Sequence, residues 1–282
     1  MDSTTMETTR EQTGVGAASP TQGTRGRIRA IAINTFRESV RDRVLYNLIL
    51  FVLVLVGASV FVSELSIDQE TKFIADLGLS SMLVFGALIA IFIGVGLVYK
   101  EIDKRTIYNL LSKPVHRHEF IIGKYMGLAM TLLVNSAVMV VGTELALVYA
   151  NRGFTPLQVS ILPAAYLIFL ELLLLVAVAL FFSSFTTPML AALYSFAIYV
   201  IGHLSGDLRL AASLTDSSLT RYILVFFYFV LPNLSNFGFI SESSHGRVAS
   251  LGMVLRVTVY GALYIGILLS ATTMIFQRRN FK

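Results

Sequence analysis

Three ionisable side chains of this 282-residue chain stand where water is scarce: Glu144, Glu171 and Arg256 each lie inside a long apolar run. An ionised group in hydrocarbon costs ~2.5–3.5 kcal/mol on insertion scales, so such residues face a partner or a polar cavity. Glu144 and Arg256 each sit about five residues below the outer end of their runs, and at equal depth an arginine fork can hold a carboxylate through two parallel hydrogen bonds. That pairing is expected, in a structural role. Glu171, near the middle of its run, has no ionic partner in view. Asn135 and Ser136 are expected at similar depth and can hydrogen-bond to it.

Other reactive arrangements are missing. Gly123-Lys124 is followed by Tyr125, and no glycine stands five positions earlier, so there is no phosphate-binding Walker loop. The four histidines, His116, His118, His203 and His245, fall in loops or at the end of a run. His116 and His118 flank Arg117, where cation repulsion opposes a metal. Cysteine is absent, which excludes disulfides, thiolate catalysis and cysteine metal sites. Ser205, in Gly202-His-Leu-Ser-Gly206, lies at an outer end, and the last apolar run has no histidine to activate it. No enzymatic activity and no cofactor are expected of this chain.

The elements around these residues read as membrane helices. The chain is 55% hydrophobic and only 14% charged, with mean hydropathy +0.74. A soluble domain carries roughly 25% charged residues. About 20 apolar residues cross a bilayer core, and six runs are read as spans: Leu45–Val62, Gly78–Val98, Tyr125–Tyr149, Leu162–Phe182, Pro188–Leu204 and Leu251–Phe276. Residues 1–24 are polar and read as disordered, with no secretory signal. The first span would then be an uncleaved anchor, and residues 25–282 one six-span domain.

Lysine and arginine set the orientation. Arg10, Arg25, Arg27, Arg29, Arg37, Arg41 and Arg43 precede span one, six more lie between spans two and three, and Arg278, Arg279 and Lys282 follow span six. The opposite loops hold only Lys72, Arg152, Arg209, Arg221 and Arg247. Both termini are therefore expected in the cytoplasm. The net charge of +5 reflects topology and contact with the lipid bilayer, with no nucleic acid partner.

Residues 27–44 repeat apolar side chains every four positions, at Ile28, Ala32, Phe36, Val40 and Val44, with arginines mostly elsewhere. This predicts a basic amphipathic helix in the headgroup plane. The segment Tyr99–Lys124 is basic and folded: Ile102, Ile107, Leu110 and Leu111 form a stripe to Ser112, and Pro114 stops the helix. A second helix is expected to start near His116 and run into span three. A plain connector needs only a few residues, whereas this one spends about 25. Ser183 to Pro188 is a tight hairpin, with Pro188 suited to the first helical position. Between spans five and six, Tyr222–Phe239 reads as a short helix ended by Pro232 that dips into the outer leaflet and returns. Phe226, Phe229, Pro232 and Asn233 are its candidate gate.

The basic segment resembles the cytoplasmic loop of the ATP-binding-cassette type-2 permeases. Those loops carry an acidic helix, Gly-Thr, Leu-Leu, Ser-x-Pro-Val-Ser-Arg and then Gly-Lys. The matching residues are Glu101, Thr106, Leu110, Leu111, Ser112, Pro114, Val115, Arg117, Gly123 and Lys124, with Arg105 in place of Gly and His116 in place of Ser. The resemblance covers roughly residues 27–282. It implies an all-α permease of six transmembrane helices that dimerises with a second copy or a related chain. It also implies docking to a separate cassette ATPase subunit, with export the usual direction, in a bacterial inner membrane. Residues 99–113 would be the coupling helix, making Glu101, Thr106, Ile107, Leu110, Leu111, Pro114 and Arg117 the candidate coupling residues. The rival expectation is a six-span membrane scaffold with no transport cycle.

Overall fold

The computed structural model describes residues 23–40, 50–51, 54, 70–103, 117–215 and 217–278. Among these residues the regular structure is entirely helical. The helices are α1 (Thr24–Ser39), α2 (Glu70–Asp103), α3 (Arg117–Asn151), α4 (Pro156–Ser183), α5 (Pro188–His203), α6 (Ser205–Leu214), α7 (Ser218–Val230), α8 (Ile240–Ser244) and α9 (Leu251–Arg278), with a 3-10 turn at Leu234–Phe237.

Four helices, α2, α3, α4 and α9, are long and apolar enough to cross a membrane. Helix α7 and the stretch Leu234–Ser244 pass together as a fifth candidate, bent by 49° at the break between them. The six-span expectation is met only this far. The expected first span, Leu45–Val62, lies outside the described residues except at 50–51 and 54, where Phe51 is buried with its ring edge on Gly142 of α3. The expected fifth span became a helix of 16 residues, about 24 Å long. That falls short of a ~30 Å hydrocarbon core, because the chain turns at Leu204 and starts α6.

Local sequence explains the joints. At the end of α3, Arg152 takes a left-handed conformation (φ 54°). Gly153 N–H then reaches back to Val148 O at 3.1 Å, a Schellman closure. Two residues later Thr155 and Gln158 form a capping box with Pro156 in the first turn, so α4 starts at once. At the far end of α4, Pro188 opens α5 after a four-residue hairpin, as the sequence predicts.

Helix α4 is apolar on every side and forms the centre, with 72% of its span buried against 17% for α9. A helix hydrophobic all round belongs inside. It packs on α2, α3, α5 and α9. Reciprocal bonds anchor α8 to it: Ser160 Oγ donates to Ser243 O and Ser243 Oγ donates to Ser160 O, both at 2.8 Å in a buried setting.

Candidate functional site

The described residues place the densest set of specific contacts at the foot of α3, where the basic segment enters it. Arg27 of α1 grips Glu119 with two bonds, Nε to Oε2 at 2.9 Å and Nη2 to Oε1 at 2.8 Å. The Glu119 side chain is fully buried and Arg27 is partly exposed. The bond to Glu119 raises the Arg27 guanidinium above its already high ordinary value, so it remains cationic at any biological pH. A two-toothed arginine–carboxylate contact fixes orientation as well as attraction.

Backbone proximity completes this joint. A Cβ at Gly127 would stand 2.6 Å from both Ala32 O and Thr35 Cβ, and one at Gly123 2.8 Å from Ile31 Cβ. Two glycines four apart give α1 a notch, the small-xxx-small device by which membrane helices approach closely. The face that α1 seats there is Ala32, Thr35 and Ser39. The predicted stripe shares only Ala32 with it: Phe36 is half-buried and Val40 exposed. Ala32 and Thr35 face Gly127, while the Ile31 side chain lies against Gly123.

On its other flank the foot meets α9. The Phe120 ring stacks on Phe276 at 6.0 Å and 16°, and Ile121 completes the cluster. The buried Lys124 ammonium lies 5.6 Å over the Phe120 ring. The helix at the start of the chain and the one near its end thus converge on the same two turns of α3.

Of the candidate coupling residues, Glu101 falls in the last turn of α2 and Arg117 is the first residue of α3. Thr106, Ile107, Leu110, Leu111 and Pro114 lie outside the described residues. The helix expected from Tyr99 begins as an unbroken continuation of α2 to Asp103. The second helix starts at Arg117, next to the expected His116.

The intramembrane charges separate. Glu144 and Arg256 do not pair: Glu144 Oε1 is buried without a hydrogen-bond partner, while Arg256 is exposed with its Nε on Gly252 O at 3.2 Å. Similar depth does not bring them together, because Arg256 turns to a cleft shared with Ser235 and Asn236. Glu171, 1% exposed, has a partner the sequence reading missed: His203 Nε2 at 3.4 Å from its Oε1. That is an ion-pair distance without hydrogen-bond alignment, as Glu171 Oε1 accepts no hydrogen bond. His203 Nδ1 lies 3.0 Å from Tyr199 O, and its ring meets Tyr199 edge-on at 4.7 Å. Asn135 and Ser136 do not reach Glu171: Asn135 Nδ2 turns to Met139 Sδ at 3.7 Å, and Ser136 Oγ is unpartnered. The signal for His203 was the hairpin itself, since residues roughly equidistant from a helical turn lie side by side.

The candidate gate divides. Pro232 is buried in the break after α7, and Asn233 organises it. Asn233 Oδ1 accepts from Ser205 Oγ and Ser235 Oγ, both at 2.6 Å, and its N–H donates to Tyr260 Oη at 2.8 Å. Gly202 admits the break, since a Cβ there would stand 2.6 Å from Leu234 Cγ and 2.9 Å from Pro232 O. Phe226 and Phe229 stay exposed on α7, a helix with no buried residue.

A chain of long apolar helices around one buried helix, with a charged joint at one end, is a multi-pass membrane protein of transporter type. It belongs to the ABC-2 family of transporters, whose sequence profile, ABC-2 family transporter protein, matches residues 29–279. No curated protein matches the chain in sequence. The family implies an ATPase partner and a membrane setting.

Proposed function

We propose that this chain is the permease subunit of an ATP-driven exporter in a bacterial plasma membrane. It works as half of a dimer, with both termini cytoplasmic, and leaves ATP hydrolysis to a separate subunit that docks on residues 99–124. The observation that carries the reading is the foot of α3. A segment of 13 residues joins Asp103, the end of a 34-residue helix, to Arg117, the start of a 35-residue one. The second helix is clamped within its first turns by Arg27, the Gly123–Gly127 notch and Phe276. A push delivered to the start of α3 meets these contacts first. It is shared by α1, α3 and α9 through those contacts.

The test is coupling. Ile107→Asp with Leu110→Asp leaves membrane insertion intact and abolishes stimulation of the co-purified cassette ATPase. Unchanged stimulation, or no ATPase recovered with the wild-type chain, refutes the lever.

A further inference from the structure

Arg256 is a membrane-helix cation without an anion. Its Nε is spent on Gly252 O within its own helix, and no carboxylate pairs with it among the described residues. A cation inside a membrane span calls for a counterion.

The guanidinium lines a cleft of about 440 Å³ with Ser235, Asn236, Met253, Val257 and Tyr260. Its polar wall is rich in donors and holds no acid. Tyr260 Oη already accepts the Asn233 N–H, so its own proton remains to be given. Ser235 Oγ donates to Asn233 Oδ1, and the exposed Asn236 lines the cleft beside it. The other wall, Met253 and Val257, is apolar. One residue round the helix from Arg256 runs an exposed apolar row, Leu255, Val259, Leu263 and Ile267, every fourth position of α9.

We propose that this cleft binds an anionic phospholipid, with the phosphate on Arg256 and Tyr260 and an acyl chain along the Leu255–Ile267 row. Arginine suits the task because its planar fork matches phosphate oxygens two at a time. A free anion would use the donors and leave the apolar wall and row unused. A zwitterionic lipid would bring its own cation to the arginine. The site is separate from the foot of α3 and is read without nucleotide, so it stands whether or not an ATPase docks.

Native mass spectrometry of the detergent-purified full chain tests it, with dioleoylphosphatidylglycerol and dioleoylphosphatidylcholine offered in parallel. The wild type is expected to retain phosphatidylglycerol about tenfold better, as a charge-assisted bidentate contact warrants. Arg256→Gln brings the two lipids to parity, while Arg256→Lys keeps part of the preference. Met253→Trp fills the cleft with the charge intact and lowers phosphatidylglycerol retention too. Millimolar inorganic phosphate leaves the lipid bound. A preference that survives both Arg256→Gln and Met253→Trp overturns the proposal. Displacement by inorganic phosphate overturns it in favour of a free-anion site. Gel-filtration elution checks that each variant is folded, and loss of both lipids equally from a folded Arg256→Gln chain also counts against it.

Discussion

The two flanks of the protein are built on opposite principles. At the foot of α3, contacts are specific and close: a two-bond ion pair, a glycine notch and a stacked ring pair hold α1, α3 and α9. On the side of α5 to α7 few of the described side chains are buried. Helix α5 buries only Ala191, Ser195 and Gly202, and α7 buries nothing while exposing Tyr222 and Phe229 at 76% each. Within a bilayer the aliphatic surface gains little by hiding, so tight joints need small residues or polar bonds. The first flank has both. The second is fastened at separate points: the Asn233 break meets Ser205 and Tyr260, His203 reaches Glu171, and Tyr264 Oη donates to Val230 O. One end is closely jointed, and the other presents an exposed apolar surface.

That contrast can be broken most severely at Gly127. Gly127→Leu pushes side-chain atoms into Ala32 O, and overpacking of this kind costs at least ~1–3 kcal/mol. Thermal unfolding in detergent should show a clear loss, and a wild-type midpoint would mean that α1 does not lie in the notch. Next in size is the buried serine exchange joining α4 to α8. Ser160→Ala with Ser243→Ala removes two hydrogen bonds, each worth about 0.6 to 2 kcal/mol inside a membrane protein, and the same assay reads the sum. On the loose flank, Phe229→Leu should leave the midpoint within about 0.5 kcal/mol of wild type, as expected away from packed features. A large loss there would show that α7 is covered by something that stabilises the fold. Small too, and opposite in sign, is Gly266→Ala. No atom lies within 4 Å of the added Cβ, and relief of glycine's backbone freedom stabilises by about 0.4–1 kcal/mol.

The long helices were legible because hydropathy over 20 residues leaves little choice, and α2, α3, α4 and α9 all contain their expected spans. Pro188 as the opening of α5, and the start of α3 to within one residue, were legible from local chemistry. The direction a side chain faces was not readable, and this undid the Glu144–Arg256 pair. The face by which α1 packs on α3 was not read from the sequence either: the four-residue apolar repeat was read as a face for the headgroup plane. Gly127 of α3 takes Ala32 and Thr35, and Gly123 takes Ile31. The Arg27–Glu119 contact joins residues 92 apart, and nothing local in the sequence points from one to the other. His203 was within reach, since counting back from the Ser183–Pro188 hairpin places it near Glu171.

The ring of Phe120 has a further consequence for biosynthesis. Its stacking partner, Phe276, is translated more than 150 residues later. A ribosome-bound chain can already seat its first helix against Gly127, yet the other side of that joint stays bare until the last helix emerges. A prematurely terminated product therefore displays an uncovered aromatic beside a buried lysine, the sort of blemish by which a membrane protease can sort unfinished copies from complete ones.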